Sequence, residues 1–125
     1  ELLRYLRDTG RKIAMATSSD RSIAERNLEM AGLRCYFDQL VCGDMVRRSK
    51  PDPDIYLTAA RLLEVKPEEC IGLEDSRNGI LSVHAAGMTG LLVPDLIQPD
   101  AQMIEAADAV LPDLGAVIGW LENYN

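Results

Sequence analysis

The stretch Cys70-Ile-Gly-Leu-Glu-Asp-Ser-Arg-Asn-Gly-Ile-Leu-Ser-Val-His-Ala-Ala-Gly87 decides the fold. Its first four residues form a short apolar run, the signature of a strand covered on both faces. The run ends directly in Glu74-Asp75-Ser76. A helix is expected from Arg77 to Ala86, closed by Gly87 as the residue past its end. Ser76 is its expected cap. Strand, acidic turn and helix follow without a linker, which is half of a βαβ unit.

Outward from there the pattern repeats. Upstream, Leu2, Leu3 and Leu6 make a helical face that stops at Thr9-Gly10, and Lys12–Thr17 reads as a strand buried on both faces. Ile23, Ala24, Leu28 and Ala31 then stripe a helix ended by Gly32. Ser19 or Asp20 is its expected cap, with Ser22 and Glu25 at capping-box spacing. Gln39–Cys42 is a second strand. Asp52-Pro53 supplies an N-cap and a first-turn proline for a helix through Ile55, Ala59, Leu62 and Leu63. Downstream, Leu91–Val93 is a fourth strand, residues 95–107 a loop and short helix, and Ala109–Leu111 a fifth, edge strand. Leu114, Val117, Ile118 and Leu121 stripe the last helix, with Trp120 and Tyr124 as packing residues. Strands alternating with helices of this length make right-handed βαβ units. The expected fold is therefore α/β, a three-layer Rossmann-like parallel sheet in one domain over residues 1–125.

Composition narrows the function. The chain has 125 residues, 47% hydrophobic, enough to bury a core of its own. Its 13 Lys+Arg against 20 Asp+Glu leave a net charge of −7, unevenly placed: +3 over residues 1–50 and −10 over residues 51–125. No Lys or Arg follows Arg77, so nucleic acid finds no basic stripe and is excluded as a partner. Cys35, Cys42 and Cys70 are an odd count without metal-site spacing. Two of them sit in apolar runs, as buried thiols of a reducing compartment do. No run approaches the roughly 18 apolar residues of a membrane span, and the start does not read as a signal peptide. A cytoplasmic protein with no membrane partner is expected. Neither glycine-rich nucleotide loop occurs.

In an open parallel sheet, ligands bind where the strands end. Thr17-Ser18-Ser19, Lys50-Pro51-Asp52 and Glu74-Asp75 should therefore share one rim. Separately they read as a helix cap, a solvated cation and a complement to a helix dipole. Together they combine carboxylates suited to Mg²⁺, hydroxyl and backbone donors for phosphoryl oxygens, and a point positive charge. An attacking carboxylate is missing: the only Asp-x-Asp, Asp52-Pro53-Asp54, opens a helix. His84, between Val83 and Ala85, reads as a helix-face residue.

The segments Ala16-Thr-Ser-Ser19, Ser49-Lys-Pro-Asp-Pro-Asp-Ile-Tyr56 and Ile71-Gly-Leu-Glu-Asp-Ser-Arg-Asn-Gly-Ile80 resemble, in that order, the second to fourth motifs of the haloacid dehalogenase (HAD) superfamily. The similarity is to its β-phosphoglucomutase-like phosphatase branch and covers roughly residues 1–112. The resemblance implies Mg²⁺-dependent phosphoryl transfer from a small phosphorylated metabolite, a sugar phosphate by preference, through an aspartyl-phosphate. Thr17 and Ser18 would hold the phosphoryl group, Lys50 would steady it and the nucleophile, and Glu74 and Asp75 would bind Mg²⁺, Asp75 most directly.

Family members also begin with a strand carrying Asp-x-Asp-Gly-Thr, followed by a cap domain that selects the substrate, and neither occurs here. In their sheet that strand lies between those ending at Thr17 and Glu74. The chain thus resembles the C-terminal part of such an enzyme, opening at Glu1 inside a helix as a proteolytic or designed fragment would, and is expected to be inactive alone. The two flanking strands should then pair directly, or accept a strand from another copy in a homodimer. Two other classes fit less well. A response-regulator receiver places its acidic pair first and its lysine last, the reverse of the order here. A non-catalytic binding or scaffold domain of the same fold accounts for the missing nucleophile but not for the intact rim.

Overall fold

The structure, a computed structural model, describes residues 1–95 and 98–124. Helix α1 (Leu2–Asp8) stops where Gly10 turns left-handed at φ 78°. Then follow β1 (Ala14–Ala16), α2 (Arg21–Met30), β2 (Gln39–Val41), α3 (Asp54–Leu63), β3 (Ile71–Glu74) and α4 (Arg77–Ala85). The chain continues through β4 (Thr89–Leu92), α5 (Ala101–Ala106), β5 (Ala109–Val110) and α6 (Gly115–Tyr124). Every strand pair is parallel, as helical crossovers require. The expected α/β architecture forms.

Side-chain alternation sorts the helices into two layers. Ala14, Ala16 and Val41 face α3 through Ile55, Tyr56 and Ala59, in a cluster that also takes in Val83 of α4. Leu92 meets Ile80 of α4 and Met103 of α5 on that same side. On the opposite side, Met15, Leu40 and Cys42 pack on Ala24 and Leu28 of α2. Leu73 and Leu91 pack there on Val117 and Leu121 of α6 and on Leu2 and Leu6 of α1. Glu74 therefore points, by its register, into the layer formed by α3 and α4.

The sheet comes in two pieces, β1–β2 and β3–β4–β5. Thr17 donates its N–H to the Val41 carbonyl and the Ile13 carbonyl accepts from Asp38, so odd-numbered residues of β1 bond toward β2. The backbone groups of Ala14 and Ala16 face the other way. In β3 the carbonyls of Cys70 and Glu74 accept from Thr89 and Val93, which leaves Ile71 and Leu73 facing away from β4. Between these two edges lies a slot of about 580 Å³, lined further by Tyr56, Leu63, Leu6 and Leu121. Direct pairing of the flanking strands does not occur. Both strands are packed on helices of each layer, and closing the gap would pull them off those clusters.

Other expectations shift by smaller amounts. Helix α3 starts at Asp54 with Pro53 as its N-cap, one residue later than read; the Asp52 carboxylate still accepts the Asp54 N–H at 3.0 Å, while Asp54 itself is held by the backbone of Arg47 and Arg48. Helix α2 starts at Arg21, which puts Ser22 inside it. There is no capping box, and Glu25 pairs with Arg21 at 3.2 Å. Strand β1 is only half-buried along its length, because its residues line the slot. Cys42 is buried as expected, and burial pushes its thiol pKa up, whereas Cys70 is only half-buried and Cys35 is exposed. Ile23 and Leu114 face solvent rather than the core. The proposed loop over residues 95–107 lies partly outside the described residues and carries α5 as its short helix. Trp120 and Tyr124 stack at 4.5 Å. Among the described residues no helix is long and apolar enough to cross a membrane.

Candidate active site

Parallel strands deliver their carboxyl ends to one rim, and Lys50 joins two of those ends. Its ammonium donates to the Ala16 carbonyl at 3.3 Å and to Glu74 Oε2 at 2.5 Å. The carbonyl can accept because β1 has no neighbour on that side. The ion pair is well shielded, with side chains 14% and 8% exposed. Lys50 thus bridges the carboxyl ends of β1 and β3, the two strands that border the slot.

The loop that carries Lys50 is tied at both ends. Asp54 Oδ2 accepts the backbone N–H groups of Arg47 and Arg48 at 3.0 and 3.4 Å. Ser82, fully buried in α4, donates its hydroxyl to the Asp52 carbonyl at 2.7 Å. Tyr56, early in α3, donates its hydroxyl to the same Glu74 Oε2 that Lys50 reaches, and the ammonium lies 5.2 Å from its ring centroid. Burial first, then the Glu74 charge and hydrogen bond and the Asp75 charge, hold the Tyr56 phenol protonated well above its ordinary range.

Glu74's other oxygen is confined as well. A Cβ at position 79 would overlap Oε1, which explains a glycine in the first turns of α4 despite its cost in a helix. Ser76 caps α4 as expected, its hydroxyl accepting the Gly79 N–H at 3.1 Å. Asp75 extends past the strand end, exposed at the rim.

On the other bank, the Thr17 hydroxyl accepts the Ser19 N–H at 3.2 Å. Ser18 is exposed, and its carbonyl lies so close to Gly43 that a Cβ there would overlap it. Asp20 is the N-cap of α2 but makes no side-chain bond to the first turn. The structure thus gathers Thr17, Ser18, Lys50, Glu74 and Asp75 on one rim. His84 lies on an exposed helix face. Tyr56, Gly79 and Ser82 were not singled out as site residues from the sequence. A glycine at a helical position is the signal that could have exposed Gly79. Tyr56 was visible only as the last residue of the segment Ser49–Tyr56, with no role attached.

The donor chemistry fits a hard divalent cation in part: Glu74 and Asp75 offer carboxylate oxygens of the kind Mg²⁺ takes. Among the described residues no cluster of three or more His, Cys, Asp or Glu is assembled to hold a metal, so the set needs oxygens from elsewhere.

The sequence pattern of the haloacid dehalogenase-like hydrolases matches residues 1–87. The chain belongs to that family. It is 39% identical over 88 residues to a phosphorylated carbohydrates phosphatase of Thermotoga maritima, covering 70% of this chain and 41% of the relative. It is 44% identical over 78 residues to the fructose-1-phosphate phosphatase YqaB of Escherichia coli, covering 62% of this chain and 42% of the relative. A crystal structure of β-phosphoglucomutase from Clostridium difficile superposes with a TM-score of 0.83 at 25% identity, over 97% of this chain and 52% of that one. This HAD chain therefore falls in the phosphoglucomutase-like phosphatase branch and spans about half the length of these three proteins.

Proposed function

We propose that residues 1–125 are one core unit of a Mg²⁺-dependent phosphatase or phosphomutase acting on a small phosphorylated metabolite, a sugar phosphate in keeping with the names of its relatives. The observation that carries this reading is the Lys50 ammonium, held between the Ala16 carbonyl and the Glu74 carboxylate at the carboxyl ends of β1 and β3. It supplies positive charge where a phosphoryl group and an attacking carboxylate must be brought together. The Thr17 hydroxyl and the Ser18 backbone orient phosphoryl oxygens. Glu74 and Asp75 would hold Mg²⁺, which when bound offsets phosphoryl charge. The attacking carboxylate comes from an extended segment outside residues 1–125 that enters the slot, pairing with Ala14 and Ala16 on one bank and Ile71 and Leu73 on the other.

The test is phosphate release from a panel of sugar phosphates by the full-length protein and its Asp75→Ala variant. Activity and its Mg²⁺ dependence should disappear together in the variant, and retention of full activity refutes the assignment. A wild-type protein that releases no phosphate while still binding the esters would favour a binding domain instead. The 125-residue chain alone should not turn over p-nitrophenyl phosphate, and steady turnover would refute a nucleophile outside it.

A further inference from the structure

We propose that Tyr56 is a positioning residue of this site: its hydroxyl, working against the backbone of Gly79, fixes the Glu74 carboxylate and through it the Lys50 ammonium. The inference rests on the functional reading above and goes beyond it, since that reading gives Tyr56 no role and Tyr56 would act on the phosphoryl site only through Glu74 and Lys50.

Three observations converge. Glu74 Oε2 accepts from both the Tyr56 hydroxyl and the Lys50 ammonium. Oε1 is packed against Gly79 so closely that a side chain there would displace it. Tyr56 is itself immobilised, 8% exposed among Val41, Ala59 and Val83. A carboxylate with two donors on one oxygen and its other oxygen facing the Gly79 backbone is confined in orientation, and a lysine with four rotatable bonds needs such an anchor to present its charge at a fixed point. The Ala16 carbonyl alone, at 3.3 Å, leaves the ammonium free to pivot. A displacement of about 1 Å of a group acting on a transition state lowers rate by up to about 100-fold. The Lys50 charge itself stays in Tyr56→Phe, and the Thr17 hydroxyl and Ser18 backbone also hold the phosphoryl group, so ground-state binding should change less than the rate.

The experiment compares full-length wild type with Tyr56→Phe and Tyr56→Leu. The readouts are kcat and KM at saturating Mg²⁺, and the ¹H–¹⁵N cross-peak of the Lys50 ammonium, assigned by its loss in Lys50→Met. Phe keeps the ring and removes only the hydroxyl. The expected result for Tyr56→Phe is a drop of about tenfold in kcat, a KM within about twofold of wild type, and loss of the ammonium cross-peak to solvent exchange. A purely packing role predicts the opposite pattern, with Phe matching wild type in all three and only Leu impaired. That pattern overturns the proposal, as does an unchanged kcat with the cross-peak lost. If wild type itself releases no phosphate, the functional reading fails and the cross-peak alone decides: its persistence in Tyr56→Phe overturns the clamp.

Discussion

Strands β1 and β3 border the slot, and β2 and β4 lie one step farther out, yet all four are written in the same apolar lettering. Leu40 and Val41 of β2 are 1% and 0% exposed, and Leu91 and Leu92 of β4 are both 0%. Ala14, Met15 and Ala16 of β1 are all half-buried, and in β3 only Gly72 is buried. The difference lies in what borders each strand, not in side-chain character: β1 and β3 line the slot, whereas β2, itself an edge of the two-stranded sheet, and β4 do not. Apolar residues specify that helices cover both faces of a strand. They carry no statement about whether a neighbour exists at its edge. The inner strands have the composition of central strands while standing as edges.

Amide hydrogen exchange gives the largest expected contrast. In the 125-residue chain the N–H groups of Ala14, Ala16, Ile71 and Leu73 should exchange on the order of 10³-fold or more faster than those of β4, which open only with the whole domain. Equal protection would break the comparison. In the full-length protein the same four amides should become protected, and continued fast exchange there would show that nothing pairs with these edges.

Truncation sharpens the contrast at the level of side chains. Leu91→Ala should cost about 3 kcal/mol, and Met15→Ala on the inner strand about 1 kcal/mol, both read from urea midpoints at constant m. A larger loss at Met15 would mean that β1 is better packed than its exposure indicates. At the rim, Lys50→Met removes one of two donors to a shielded carboxylate and should cost about 2 kcal/mol by the same measurement.

A further effect appears only in alkali. The Tyr56 phenol has a raised pKa in the folded protein, so its contribution to stability is fully present below the ordinary phenol pKa of about 10 and is lost as pH rises beyond it. Over that window stability should fall by about 1.4 kcal/mol per pH unit on account of this one group. Tyr56→Phe should lack that increment, and an identical alkaline slope in the variant would contradict the assignment.

The sequence disclosed what is local and periodic. Gly10, Gly32 and Gly87 end helices with left-handed backbones, at φ 78°, 72° and 80°, because a side chain there would strain the turn. Ser76 could be read as a cap and the acidic pair as a strand end, since both follow from one short segment. The convergence of Thr17, Lys50 and Glu74 was legible too, because strands that run parallel finish together. The slot was not, since the separation of β1 from β3 is set by helices packed from two remote parts of the chain. Nor was the Tyr56–Glu74 contact, which depends on α3 turning that residue toward β3, a contact between positions 18 residues apart. The one-residue slip at Asp52 and Pro53 has a different origin. Two aspartates flank the proline, and tertiary bonds from Arg47 and Arg48 select the second as the helix's first residue.

Because one ammonium is tied to both Ala16 and Glu74, position 50 serves two masters. A neutral replacement loosens one tie between the two halves of the molecule and at the same time strips the cleft of its attraction for anions. Durability and reactivity cannot be adjusted independently there, so any library varied at that codon will see heat resistance and turnover rise or fall as a single trait.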